Sequence, residues 1–504
     1  MPENHPEQFE KLCELSTRAH TLQGISSLLS WDQETYMPEM ASPIRAKQCE
    51  LLAELAHDIK TSSEFEKTLN RVIDIASGDI KEKGLTAPQE AAAKVYRRDF
   101  VRDRKLPTAF VQEFALVTSE AIPVWQKAKI GNDFASFEPT LEKIISLVRK
   151  KADFLGYDKH PYDALLEEYE PGCTTAQIGD IFEKVQEKLT ALLKHISEKP
   201  TIGDFDIPAP ESEQMEICQL LLGHIGYDFK RGRIDISSHP FSSSYHPYDS
   251  RITTRAESHG IVSQILTTLH EAGHSFYDMG RSVAAQGTPL GDPISHGIHE
   301  SQSRLWETRI GRSLPFWQFF YPLLQKRFPQ ALVGISIDDF YKKINIVKPT
   351  LIRTDADEVT YPLHVILRFE IEKELTSGAL KVKELPDRWR AGMKKLLMVE
   401  PKNDTEGCLQ DIHWSMGAFG YFPTYSLGNI YAAQLFETFA KDHPDWESNV
   451  RNGQFAFIKE WLSDAVWQHG RRYNGEELIR KVTGKVLTHE PFINYLTAKY
   501  STPN

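Results

Sequence analysis

Thr174-Thr175-Ala176-Gln177-Ile178-Gly179-Asp180-Ile181-Phe182-Glu183-Lys184-Val185-Gln186-Glu187-Lys188-Leu189-Thr190-Ala191-Leu192-Leu193 carries the pattern that decides the fold class. Thr174 and Gln177 form a T-x-x-Q helix start, in which each side chain satisfies the other residue's backbone N–H. Ile178, Ile181, Phe182, Val185, Leu189 and Leu192 then recur at helical spacing on one face. Similar patterns appear at 6–29, 140–155, 361–376, 428–441 and 471–483. Segment 42–58 opens with a cap residue and a first-turn proline, Ser42-Pro43, and continues with Leu51, Leu52 and Leu55. Strand patterns are few. Segments 231–237 and 250–255 alternate and are separated by a turn-rich Pro/Ser/His stretch, which predicts a small antiparallel β-sheet.

The chain shows no internal repeat and no low-complexity linker, and the breaks at 200–212 and 284–295 read as loops within one body. The expected fold is therefore mainly α, a single large helical domain over 1–504, with two lobes about a cleft. Its 504 residues are ample for a buried core, and 40% hydrophobic with 26% charged residues is ordinary for a globular protein. A net charge of −11 with no long Lys/Arg run argues against a nucleic-acid partner, which needs a basic face. No apolar run approaches the roughly 18–20 residues of a membrane span. Met1-Pro2-Glu3-Asn4-His5 lacks the basic and apolar regions of a secretory signal. Cys13, Cys49, Cys173, Cys218 and Cys408 are scattered, odd in number and without a CxxC pair. They read as buried thiols in a reducing compartment, hence a cytoplasmic protein.

Segment 256–279 is apolar, helical in pattern, and contains His270-Glu271-Ala272-Gly273-His274. Residues i and i+4 stack on one helix face roughly 5–6 Å apart, so two imidazoles can converge on one cation. Neutral imidazole suits zinc, and the glutamate beside the first histidine can take a proton from water. The competing interpretation is a helix with two satisfied histidines and a surface glutamate. A catalytic zinc needs a third protein ligand and an open position. Glu300 and Glu307 lie two turns apart on nearly the same face of a plausible second helix, and spacing alone does not choose between them. Asp278, Asp355 and Asp357 are candidates to accept the second ring N–H of a ligating histidine.

Further motifs follow in order: Trp31-Asp32-Gln33-Glu34-Thr35-Tyr36-Met37-Pro38, His239-Pro240-Phe241, Asp249-Ser250-Arg251-Ile252-Thr253, His299-Glu300-Ser301-Gln302, Ile352-Arg353-Thr354-Asp355-Ala356-Asp357, and Gly407-Cys408-Leu409-Gln410-Asp411-Ile412-His413-Trp414. With the 270–274 motif, this series resembles the M32 family of metallocarboxypeptidases, the Taq-carboxypeptidase type, over essentially the whole chain. The resemblance implies Glu300 as third ligand beside His270 and His274. It also implies one Zn2+ per chain (Co2+ is the alternative), a helical fold with a long central groove, and a homodimer. The metal-site segment would run over about 239–425, with the small sheet beside the metal helix.

Glu271 is then the expected general base. Arg353 is the first candidate to recognise the free C-terminal carboxylate of a peptide, because a guanidinium fork pairs bidentately with it. Internal pairing with Asp355 or Asp357 is the alternative for Arg353. Arg251, on the expected strand, is the second candidate, and His239 a further substrate contact. His413, Tyr421 and Tyr425 are candidate donors to the transition-state oxyanion. The expected activity is release of single C-terminal residues with broad specificity and poor release of proline. The alternatives are a helical zinc oligopeptidase or dipeptidyl carboxypeptidase, and a non-catalytic helical scaffold.

Overall fold

The computed structural model describes residues 6–198, 203, 205–255 and 260–501. Residues 1–5, 199–202, 204 and 256–259, on which parts of the expectations above fall, lie outside the described residues, as do 502–504. The molecule is mainly helical. The Thr175–Ser197 helix starts at Thr174, whose side chain accepts from Gln177 N, while Gln177 Oε1 accepts from Thr174 N at 3.0 Å. It buries Ile178, Phe182, Val185, Leu189 and Leu192, as its spacing predicts. Most buried apolar side chains join one cluster running from Phe110 to Tyr500. A smaller cluster, from Phe9 to Phe100, belongs to the amino-terminal helices.

Two details depart from the sequence expectation. The Ser42–Thr61 helix is capped at Ala41, not Ser42, and Ser42 Oγ instead donates to Glu39 O. Leu51 and Leu55 are 54% and 43% exposed, so this helix turns much of its apolar face outward. The second departure is the sheet. Its strands are β1 (Gly232–Ile236), β2 (Ser242–His246) and β3 (Asp249–Thr254), ordered β1-β3-β2. β1 pairs parallel to β3, not antiparallel, and β2 supplies the antiparallel edge. The segment between the two expected strands is long enough to cross back, and it forms the third strand itself. Ser-Ser-Ser-Tyr-His is half-buried throughout, so it lacks the alternation that marks a strand in sequence.

The sheet abuts the helix Ile261–Gly280. Ser250 Oγ meets Ser275 Oγ at 2.7 Å, and Thr254 bonds Gln264. The start of this helix lacks a capping side chain at Gly260. Asp206 takes that role from another segment, accepting from Val262 N at 2.8 Å and Ser263 N at 3.2 Å. A carboxylate there also complements the positive end of the helix dipole. All five cysteines are unpaired; Cys218 and Cys408 are buried and the other three half-buried. Among the described residues, no helix is long and apolar enough to cross a membrane.

Candidate metal centre and its surroundings

His270 and His274 project from the Ile261–Gly280 helix with ring centroids 4.9 Å apart. Glu300 comes from the helix His296–Arg304. Its Oε2 lies 3.7 Å from His270 Nε2 and 3.4 Å from His274 Nε2. One donor atom from each of the three residues falls within 4.8 Å of the others, and no other such group of His, Cys, Asp or Glu occurs among the described residues. Glycine lets the two helices meet: a Cβ at Gly273 would sit 2.6 Å from Gln302 O and Ser303 Cα. On the other side, a Cβ at Gly428 would lie 2.4 Å from Glu300 Cγ. The backbone carrying Glu300 is thus held between glycines of two neighbouring helices.

Glu307 is also used. The helix widens into a π-helix over Leu305–Gly311, a distortion that often accompanies function. Glu307 Oε2 then reaches His270 Nδ1 at 2.8 Å. Glu300 therefore faces one nitrogen of His270 and Glu307 the other. Arg304 ties the two carboxylates, with Nε 2.8 Å from Glu300 Oε1 and Nη1 3.1 Å from Glu307 Oε2. His274 Nδ1 meets His299 Nδ1 at 2.6 Å, and His299 Nε2 lies 3.2 Å from Asp278. Asp278 thus reaches His274 only through His299. Asp357 is elsewhere, accepting from Lys348 N, Val359 N and Thr360 N at the start of the Thr360–Ser377 helix, and Asp355 is exposed.

The electrostatics favour a cation. Burial alone would lower the His270 pKa, but Glu300 and Glu307 raise it. Burial would raise Glu300, yet His270 and Arg304 hold its carboxyl well below the usual range. Burial lowers His274 to about 4, leaving a neutral imidazole ready to ligate. Both ring Nδ1 atoms are engaged, so both Nε2 atoms face Glu300. Two neutral-capable imidazoles and one carboxylate, with their outer nitrogens occupied, fit a zinc ion's preference. Glu271 is 6% exposed, and burial pushes its carboxyl up to about 7.

A second group of side chains adjoins this centre through Tyr421, whose ring lies 5.6 Å from that of His296, and Tyr361, over which Arg304 stacks at 4.4 Å. Glu300 is among the charges that raise both Tyr421 and Tyr425 beyond what burial does, Tyr421 reaching about 12. His413 Nε2 is 3.2 Å from Tyr425 Oη, and burial lowers His413 to about 4. Its Nδ1 is buried without a hydrogen-bond partner among the described residues. Arg353 is 7% exposed and pairs with neither Asp355 nor Asp357. Its Nε and Nη2 both bond Asp411 Oδ1, at 3.0 and 2.8 Å, and Nη1 bonds Tyr361 Oη at 3.0 Å. Each terminal nitrogen retains a second N–H that these bonds do not use. Arg368 holds the other oxygen of Asp411 at 2.6 Å.

The remaining candidates sit further out. Arg251 spends its fork on both oxygens of Asp249 and stacks 4.4 Å over Trp31. His239 is exposed, with Nδ1 2.9 Å from Pro240 O.

The loop between His413 and Tyr421 is anchored by Glu372, a residue the sequence reading passed over. Its carboxylate accepts from Trp414 Nε1 at 2.8 Å, Gly420 N at 3.1 Å and Tyr162 Oη at 2.5 Å. Burial pushes Glu372 up to about 7. The unfolded chain ionises this group first as pH rises, so its contribution favours folding below the ordinary glutamate value of about 4.5 and is lost between there and about 7. Urea denaturation should show a fall of up to roughly 3 kcal/mol from this residue between pH 5 and 8. Glu372→Gln should flatten that part of the profile; an unaltered profile would contradict this assignment.

A family model described as Carboxypeptidase Taq (M32) metallopeptidase matches residues 11–500. Carboxypeptidase 1 of Bacillus subtilis is 36% identical over 478 residues, 94% of each chain. Thermostable carboxypeptidase 1 of Pyrococcus furiosus is 38% identical over 479 residues, again 94% of each. The crystal structure of the M32 carboxypeptidase from Deinococcus radiodurans R1 superposes with a TM-score of 0.93 at 36% identity, covering 98% of this chain and 99% of that one.

Proposed function

The chain belongs to the Carboxypeptidase Taq (M32) metallopeptidase family, and from that premise we propose a zinc-dependent carboxypeptidase that removes single residues from the free C-terminus of peptides. The observation that carries this reading is the convergence of His270, His274 and Glu300 beside a buried, elevated Glu271. A zinc ion held by those three side chains would polarise a carbonyl and acidify a water. Glu271 takes a proton from the attacking water and returns it to the departing amine; a carboxyl near 7 suits both transfers at neutral pH.

Tyr421, Tyr425 and His413 are the proposed donors to the developing oxyanion. The two unused terminal N–H groups of Arg353 pair with the peptide's carboxylate. Arg251 and His239 are the proposed outer contacts to the peptide, along a proposed groove between two lobes. Broad specificity, poor release of proline, a homodimer and a cytoplasmic location rest on the family resemblance and on the sequence. Cobalt is the alternative metal.

Two measurements test this reading. End-group analysis of a mixed peptide set should show single residues released from the C-terminus, abolished by a chelator and restored by Zn2+ or Co2+. Internal cleavage or release of dipeptides would overturn the carboxypeptidase assignment. Gly428→Ala should push on Glu300 and raise the rate of metal loss by roughly 10-fold or more. Unaltered metal retention in that variant would contradict the third-ligand assignment.

A further inference from the structure

Glu170 follows the Pro161–Tyr169 helix and is 1% exposed. No lysine or arginine among the described residues pairs with it; its partners come from two other elements. One oxygen accepts from the N–H of Gly297, in the first turn of His296–Arg304. Ser295, the cap of that helix, lies near enough to the carboxylate to favour its charged form. The other oxygen lies 3.3 Å from Tyr431 Oη, in the Pro423–Asp442 helix.

The space is closed around this contact. A Cβ at Gly297 would stand 2.5 Å from Glu170 Oε1 and 3.0 Å from a Tyr431 ring carbon. One at Gly475 would stand 2.7 Å from Tyr431 Oη. The spacing links this cluster to the metal centre. Gly297 precedes Glu300 by three residues, and Tyr431 follows Gly428, which presses on Glu300, by three residues. The Gly297–Tyr431 contact, which Glu170 bridges, and the Gly428–Glu300 contact therefore lie about one turn apart on the same two helices.

We propose that Glu170 is a positioning residue for the metal centre: it locks the first turn of the Glu300 helix to the Tyr431 helix and so fixes where the Glu300 carboxylate sits. The proposal rests on Glu300 being a metal ligand. Three further observations agree with it. A carboxylate at a helix N-terminus complements the helix dipole and satisfies N–H groups that have no partner within the helix. Burial without a cationic partner pushes Glu170 up to about 7, a cost that a side chain with only a packing role would not require. Tyr169, the adjacent residue, packs its ring 5.3 Å from His296 and 5.1 Å from Tyr421, so the same short segment borders both the ligand helix and a proposed donor.

The test uses the full-length protein loaded with Co2+ and reads the visible absorption of the bound ion, its release to a chelator, and kcat and KM separately. Glu170→Ala should alter the Co2+ spectrum and speed metal release by roughly 10- to 100-fold. Its kcat should fall while KM changes less than about 2-fold, and Glu170→Gln, which keeps an acceptor for Gly297, should recover most of the loss. A wild-type spectrum and release rate in Glu170→Ala would overturn the proposal, even in a variant less stable to urea. Should Glu170→Ala fail to fold, Tyr431→Phe removes only the bracing hydroxyl and should shift the same readouts in the same direction; no shift overturns the proposal. Glu300→Ala separates the premise from the inference. A normal Co2+ spectrum in Glu300→Ala removes the ligand assignment, whereas a changed spectrum there with an unchanged one in Glu170→Ala removes only the brace.

Discussion

Glu271→Gln should retain its metal at wild-type stoichiometry and lose about 10³-fold or more in kcat on a peptide substrate. The amide fills the same buried space but cannot accept a proton from water. Neighbouring carboxylates are tied to other groups: Glu300 to Arg304 and Ser303, and Glu307 to Arg304 and His270. The Glu271 carboxylate makes no hydrogen bond or ion pair among the described residues, and it is poised at about 7. No nearby group duplicates it. His413, lowered to about 4, is too weak a base to take the water proton near neutral pH, and its Nε2 is engaged by Tyr425. A Glu271→Gln enzyme of near wild-type activity would remove Glu271 from the role of base, and one without metal would instead point to a damaged site.

The second large effect concerns Arg353. Arg353→Ala should reduce kcat/KM on free-carboxylate peptides by roughly 10²–10³-fold, the scale of a lost buried charge-assisted pair, and leave the slow turnover of amidated peptides unchanged. The fold should survive, because Asp411 keeps Arg368, whose Nε and Nη2 lie 2.7 and 2.6 Å from its Oδ2. Removing Asp411 is different. Asp411→Ala leaves two buried guanidinium groups facing each other without their shared carboxylate, at a cost of about 3–5 kcal/mol. Urea denaturation should therefore rank Asp411→Ala well below Arg353→Ala in stability. Equal losses on free and amidated peptides would show that Arg353 acts through the fold and not through the terminal carboxylate.

How far these residues were legible in sequence follows from the range of the forces involved. The His270–His274 pair was readable because the i, i+4 rule is local and leaves no freedom. The Glu300/Glu307 ambiguity was also local, and the structure shows why spacing could not settle it: both residues face His270, on opposite nitrogens, Glu307 from a π-turn that no residue pattern announces. His299 as the neighbour of His274 was missed although it lies within a quoted motif; its adjacency to Glu300 on a helix crossing the metal helix was the available signal.

Arg353 was singled out as the candidate for the peptide carboxylate, with Asp355 or Asp357 as alternative partners; its partner in the structure, Asp411, is 58 residues away, and no short-range rule finds it. The sheet went wrong for a related reason. The two alternating segments do pair directly, but in parallel, because the polar segment between them in sequence crosses back and takes the antiparallel edge. Gly273 and Gly428 carry the tightest helix contacts at the site, yet a glycine inside a helical pattern reads in sequence only as a mild defect.

The most direct measurement compares one peptide with a free C-terminus against the same peptide amidated. Carboxylate recognition by Arg353, beside a metal centre of His270, His274 and Glu300, predicts fast, chelator-sensitive release of the terminal residue from the free peptide and turnover of the amide slower by at least about 10²-fold. Equal cleavage of the two would contradict it.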